Sequence, residues 1–216
     1  LGTGQAAQPH KQPRECTITV KDALEKRLGK NLHYEAGAWL EKDDEYNYEA
    51  AIKKVNDSDV AIIVVGDRLS YWGECKSTAT LRLQGSQKQL IKGVVDTGKP
   101  FIINVIASKP LILPKCADKA SAIIYQFSPG MLGGAAFDKI IFGEEEPRGR
   151  LTISIPRHVG QQPVFYNTVR GQHGYNYADM DQHPKYEFGY GLTYTKFKYS
   201  SAELDKESYS VEDTIT

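Results

Sequence analysis

One carboxylate stands out by its setting. Glu74 lies in "SYWGECKSTATLRLQG" (70–85), a stretch with neither helical nor strand period, just after Tyr71 and Trp72. An acid on an irregular segment can be aimed as a proton donor or acceptor, and two flat apolar rings suit the C–H side of a sugar ring. The same residues admit a plainer reading, a solvated loop acid with two rings pinning the loop. Asp67, which follows the apolar run "VAIIVV" (60–65), reads as a turn residue or a hydroxyl acceptor. Ser108 and Lys109 sit in a second such loop, "ASKPLILP" (107–114), as candidates to line the same crevice.

Other chemistry finds no frame. No GxGxxG or GxxxxGK[ST] follows an apolar run, so the sequence lacks a dinucleotide or P-loop phosphate cradle. No GxSxG elbow is present, which removes the usual serine hydrolase of a parallel sheet. His10, His33, His158, His173 and His183 lack metal-ligand spacing, and "GEEEP" (143–147) reads as an acidic turn ending a helix. The sequence thus implies no cofactor and no metal.

Lys+Arg 27 balances Asp+Glu 27 over 216 residues, which disfavours nucleic acid as a partner. The apolar runs are far too short to cross a bilayer. Hydrophobic residues at 40% supply a real core. Cys16, Cys75 and Cys116 are odd in number and widely spaced, which fits reduced thiols and leans cytoplasmic, with the compartment otherwise unassigned.

The elements that must position Glu74 alternate in type. "TITV" (17–20) is strand-like, "KDALEKRLG" (21–29) spaces Leu24 and Leu28 as a helix, and "NLHYE" (31–35) is again extended. Tyr48, Ala51, Ile52 and Val55 form a helical stripe before "VAIIVV", which is apolar on both faces as a covered strand must be. A helix over 87–96 precedes "FIINVI" (101–106). "AIIYQF" (122–127) then leads to a helix whose Gly133, Gly134, Ala135 and Ala136 would let it sit close on a sheet. The alternating "LTISI" (151–155) ends the series. This order predicts an α/β fold, a mostly parallel sheet sandwiched by helices on both faces.

The expected organisation is a linker at 1–15, the sandwich at 16–157, a Gly/Tyr-rich arm at 158–199 packed on it, and at 200–216 the truncated start of a β domain of fibronectin-III type. Disorder is the competing reading of the arm. In an open parallel sheet, ligands lie beyond the carboxyl ends of the strands. The loops at 66–85, 107–114 and 128–130 leave such ends, and the first is longer than a βα connection needs.

The segments "DVAIIVVGD" (59–67), "GECKSTATLRLQGSQKQLI" (73–91), "TGKPFIINVIASKPLIL" (97–113), "PGMLGGAAFDKIIFGEEEPRGRLTISIPRHVGQQPVFYN" (129–167) and "FGYGLTYTKFKYS" (188–200) occur in an order that resembles the C-terminal α/β-sandwich domain of family 3 glycoside hydrolases, enzymes of β-glucosidase and β-xylosidase type. The resemblance implies a retaining exo-β-glycosidase acting on a terminal β-linked glucose, xylose or similar sugar. Two carboxylates would work about 5 Å apart: a nucleophilic Asp on an N-terminal (β/α)8 barrel and an acid/base Glu on a sandwich loop.

That Glu commonly lies in a segment resembling SGEGxDRxxLxLPGxQ, which falls on "WGECKSTATLRLQGSQ" and puts the acid/base at Glu74. The family's Asp-Arg pair is replaced by Ser77 and Thr78, and its Pro by Gln84. Lys76 is a candidate to supply the missing positive charge and to touch substrate. With no barrel-like stretch before residue 16, the chain alone is expected to be inactive, its partners being the barrel and a β-linked oligosaccharide or glycoside. A homo-oligomer stays open, and a non-catalytic carbohydrate-binding or assembly module of the same fold is the alternative.

Overall fold

The computed structural model describes residues 14–40, 47–68, 71, 74–167, 177–201 and 203–214. Among these residues four helices and three strands follow in the order α1 (Val20–Leu28), α2 (Tyr48–Asn56), β1 (Ala61–Gly66), α3 (Gln87–Asp96), β2 (Phe101–Ile106), β3 (Ala122–Phe127) and α4 (Gly133–Ile141). The strands form one parallel sheet in the order β1-β2-β3. The chain is therefore α/β, as its alternation predicts.

Both faces of the sheet are covered, which is why the strands are apolar throughout. On one face Ala61, Ile63, Val65, Phe101, Ile103 and Val105 pack with Ile91 and Val94 of α3, and Ile52 and Val55 of α2 lie against them. On the other, Ile106 packs with Val20 and Leu24 of α1 and Phe137 of α4. Fully buried Phe137 alone removes enough apolar surface to contribute roughly 1.5–3 kcal/mol.

Three expected strands take other forms. In "TITV", Thr19 closes a capping box with Asp22: its backbone N–H donates to the Asp22 carboxylate at 2.8 Å and its hydroxyl accepts from Asp22 N–H at 3.2 Å. The cap outweighs the β-branched preference of the segment, and Val20 begins α1. "NLHYE" forms no strand, and its Glu35 accepts instead from Ala36 N–H and the Asn47 amide. "LTISI" pairs with the arm, not the sheet, through an isolated antiparallel bridge between Ile155 and Tyr186.

The small residues of α4 also serve a different contact from the expected one. A Cβ on Gly134 would collide with the carbonyl of Thr19, and Gly134 N–H donates to Ile18 O at 3.1 Å. Close approach is to the entry of α1.

The described part of the arm contacts the sandwich through Tyr186, whose ring meets Tyr125 edge-on at 6.4 Å. Leu151 N–H to Tyr190 O and Gly189 N–H to Leu151 O add two backbone bonds. Its outer aromatics stay in solvent, with Phe197 77% and Tyr199 94% exposed. Residues 203–214 form turns and bends without a strand. Most of the expected linker, and the "RGQHG" stretch of the arm, lie outside the described residues.

Candidate active site

β1 and β2 run in register to a common end, with Gly66 opposite Ile106. The loops that follow therefore start side by side. Asp67 N–H continues the ladder to Ile106 O at 3.0 Å. Gly66 is required here by proximity, because a Cβ would overlap the Ile106 carbonyl.

The far end of the first loop is brought back by Gln87, the first residue of α3. Its buried amide accepts from Gly66 N–H at 2.7 Å and donates to Gly66 O at 3.0 Å and Gln84 O at 2.9 Å. Sequence reasoning passed over Gln87 as a helix residue. The signal was present, since it is the closing Gln of the segment that carries Glu74.

Between these ends, Lys109 forms a node. Its ammonium donates to Thr78 Oγ1 at 2.7 Å and to Tyr71 O at 3.1 Å. The Asp67 carboxylate lies 3.7 Å away, close enough for an ion pair and too far for a hydrogen bond. The Asp67 side chain is buried and its Oδ2 has no hydrogen-bond partner. Burial pushes the Asp67 carboxyl above the ordinary Asp range, and Lys109 offsets this only in part.

Tyr71 is half-buried, its hydroxyl donating to Leu40 O at 2.9 Å. Ser108 Oγ is buried without a partner. Leu81 O accepts from Ile112 N–H at 2.8 Å, and Arg82 bridges to Ile112, so the two loops also meet near their exits.

Glu74 is exposed at a turn with Cys75. Cys75 has φ +57°, a left-handed conformation uncommon for a side chain other than Gly or Asn. The family segment carries Gly at this place, and the turn explains why. Lys76 is exposed too, and no ion pair joins it to Glu74 among the described residues. The structure thus joins Asp67, Tyr71 and Lys109 in one cluster, and Glu74 and Lys76 are exposed on the same loop as Tyr71. Trp72 lies outside the described residues.

A separate cleft of about 240 Å³ opens between β3 and the arm, lined by Tyr125, Ile155, Arg157, Lys185 and Tyr186 among others. None of the expected site residues lines it. Among the described residues, no three His, Cys, Asp or Glu side chains gather as metal ligands.

Comparison with known proteins gives one consistent answer. The profile of the glycosyl hydrolase family 3 C-terminal domain matches residues 1–194. A β-xylosidase of Formosa agariphila is 35% identical over 208 residues, covering 92% of this chain and 28% of that protein. A periplasmic β-glucosidase of Salmonella typhimurium is 32% identical, covering 86% of this chain and 26% of that protein. The chain thus spans little more than a quarter of these relatives. Among solved structures, a β-glucosidase involved in saponin metabolism from intestinal bacteria superposes with a TM-score of 0.84 at 33% identity, covering 97% of this chain and 33% of that one. A Listeria innocua β-glucosidase in complex with glucose gives 0.79 at 28% identity, covering 88% and 28%.

Proposed function

The chain belongs to the glycosyl hydrolase family 3 C-terminal domain, and from that premise we propose that it supplies the acid/base carboxylate, Glu74, to a retaining exo-β-glycosidase. The substrate class is a terminal β-linked glucose, xylose or similar sugar, after the relatives that are β-glucosidases and β-xylosidases. The attacking carboxylate comes from another domain of the enzyme, a (β/α)8 barrel.

What supports the reading is the loop: it leaves the carboxyl end of β1 beside that of β2, where parallel sheets take their ligands, and Glu74 is an exposed acid on it. In the first step the barrel carboxylate would attack the anomeric carbon while Glu74 gives its proton to the departing oxygen. In the second, Glu74 would take a proton from water, which breaks the glycosyl–enzyme bond with net retention. Tyr71 and Lys76 belong to the same loop and Ser108 to its neighbour, as candidates to border the sugar. Asp67 and Lys109 pair at 3.7 Å between the two loops.

The test uses the full-length enzyme. Glu74→Gln should lower kcat/KM on an alkyl β-glycoside by about 10²–10⁴-fold. On a dinitrophenyl glycoside, whose leaving group needs no proton, kcat/KM should fall far less, while kcat falls because deglycosylation still needs Glu74 as base. Azide should restore turnover to Glu74→Ala on the activated substrate. Unchanged turnover in both variants would leave a non-catalytic carbohydrate-binding or assembly module as the reading.

A further inference from the structure

We infer that Lys109 is a positioning residue for Glu74: its ammonium clasps the loop on both sides of the acid, at the Tyr71 carbonyl three residues before it and the Thr78 hydroxyl four after. This rests on the reading of Glu74 as the acid/base.

Three observations support it. First, the ammonium is committed to the loop. Of its three donors two are used there, at 2.7 and 3.1 Å, and the Asp67 carboxylate stands 3.7 Å away as an ion pair. Only 18% of the Lys109 side chain is exposed, so little of it is left to meet a substrate.

Second, the clasp is rooted in rigid structure. Lys109 follows β2 by three residues, with a backbone bond from Leu111 N–H to Lys109 O at 2.8 Å, and Asp67 follows β1 directly. The Thr78 hydroxyl that accepts from Lys109 also donates to Thr80 O at 2.8 Å, which extends the hold along the chain.

Third, the ion pair is a weak source of stability: at 3.7 Å it makes no hydrogen bond, and burial raises the Asp67 carboxyl more than Lys109 lowers it. Among the described residues no hydrogen bond or ion pair holds the Glu74 carboxylate itself, exposed at a turn that leaves Cys75 left-handed.

The experiment is a kinetic comparison in the full-length enzyme of Lys109→Met, Lys109→Arg and Thr78→Val, with Glu74→Gln alongside. Lys109→Met should lower kcat/KM at least tenfold on the alkyl glycoside and less than threefold on the dinitrophenyl glycoside, whose kcat falls because deglycosylation also needs Glu74, with KM on the alkyl glycoside within twofold. It should also speed amide exchange at residues 74–80. Lys109→Arg should recover most of the loss, and Thr78→Val, which deletes one bond of the clasp, should show a weaker form of the same pattern.

A rise in KM on both substrates would make Lys109 a sugar ligand and overturn the inference. So would equal losses of kcat/KM on both substrates, or a selective loss for Glu74→Gln without one for Lys109→Met. If Glu74→Gln itself shows no leaving-group dependence, the acid/base reading fails, and the positioning inference falls with it whatever amide exchange shows.

Discussion

At the scale of single residues, a buried acid beside a lysine is the feature most open to measurement. Asp67 has its carboxyl raised, first because burial disfavours the charge, with Lys109 pulling the other way. A raised folded-state value means that the folded protein holds its proton longer than the unfolded chain. The stabilising contribution is therefore complete below the unfolded pKa, about 3.9, and is lost as pH rises through the folded value. Wild type should accordingly lose stability relative to Asp67→Asn over that rise, as read by denaturant unfolding at a series of pH values. A pH-independent difference between the two would show that Lys109 cancels the burial cost. None of this was legible in sequence, where Asp67 and Lys109 were separate polar residues of two loops. Their meeting depends on the register of β1 against β2, which no local pattern encodes.

At the scale of elements, the loop is defined by its closure more than by its length. Gln87 answers both the N–H and the C=O of Gly66 as well as Gln84 O. Removing its amide strands buried backbone groups, at about 1–3 kcal/mol each. Gln87→Ala should lower stability by several kcal/mol in urea unfolding, and Gln87→Glu, whose buried carboxylate keeps the acceptor but meets Gly66 O and Gln84 O without a donor, by at least as much. A change under 1 kcal/mol for Gln87→Ala would mean that water replaces the amide. Strands covered on both faces and helices with apolar stripes were readable in advance, because burial writes itself into the period of the sequence. "TITV" and "LTISI" misled for definite reasons. A Thr19–Asp22 cap decided the first, and pairing of Ile155 with Tyr186, more than thirty residues away, decided the second.

At the scale of the whole molecule, the chain holds one carboxylate of the proposed pair and spans 28% and 26% of two relatives. The isolated 216-residue polypeptide should therefore show no turnover of a nitrophenyl β-glycoside, and added barrel domain should restore it; measurable hydrolysis by the chain alone would contradict a divided site. The proposed role of Glu74 rests chiefly on the resemblance of its segment, since the residue pattern alone fits a solvated loop acid as well. The Gln87 clasp carries a further consequence. With both rims of the loop fastened to the same glycine, the span between them can change in size and composition without tugging on the strands below. Such a span works as an interchangeable cartridge, through which one scaffold could be refitted for successive substrates while its foundations stay put.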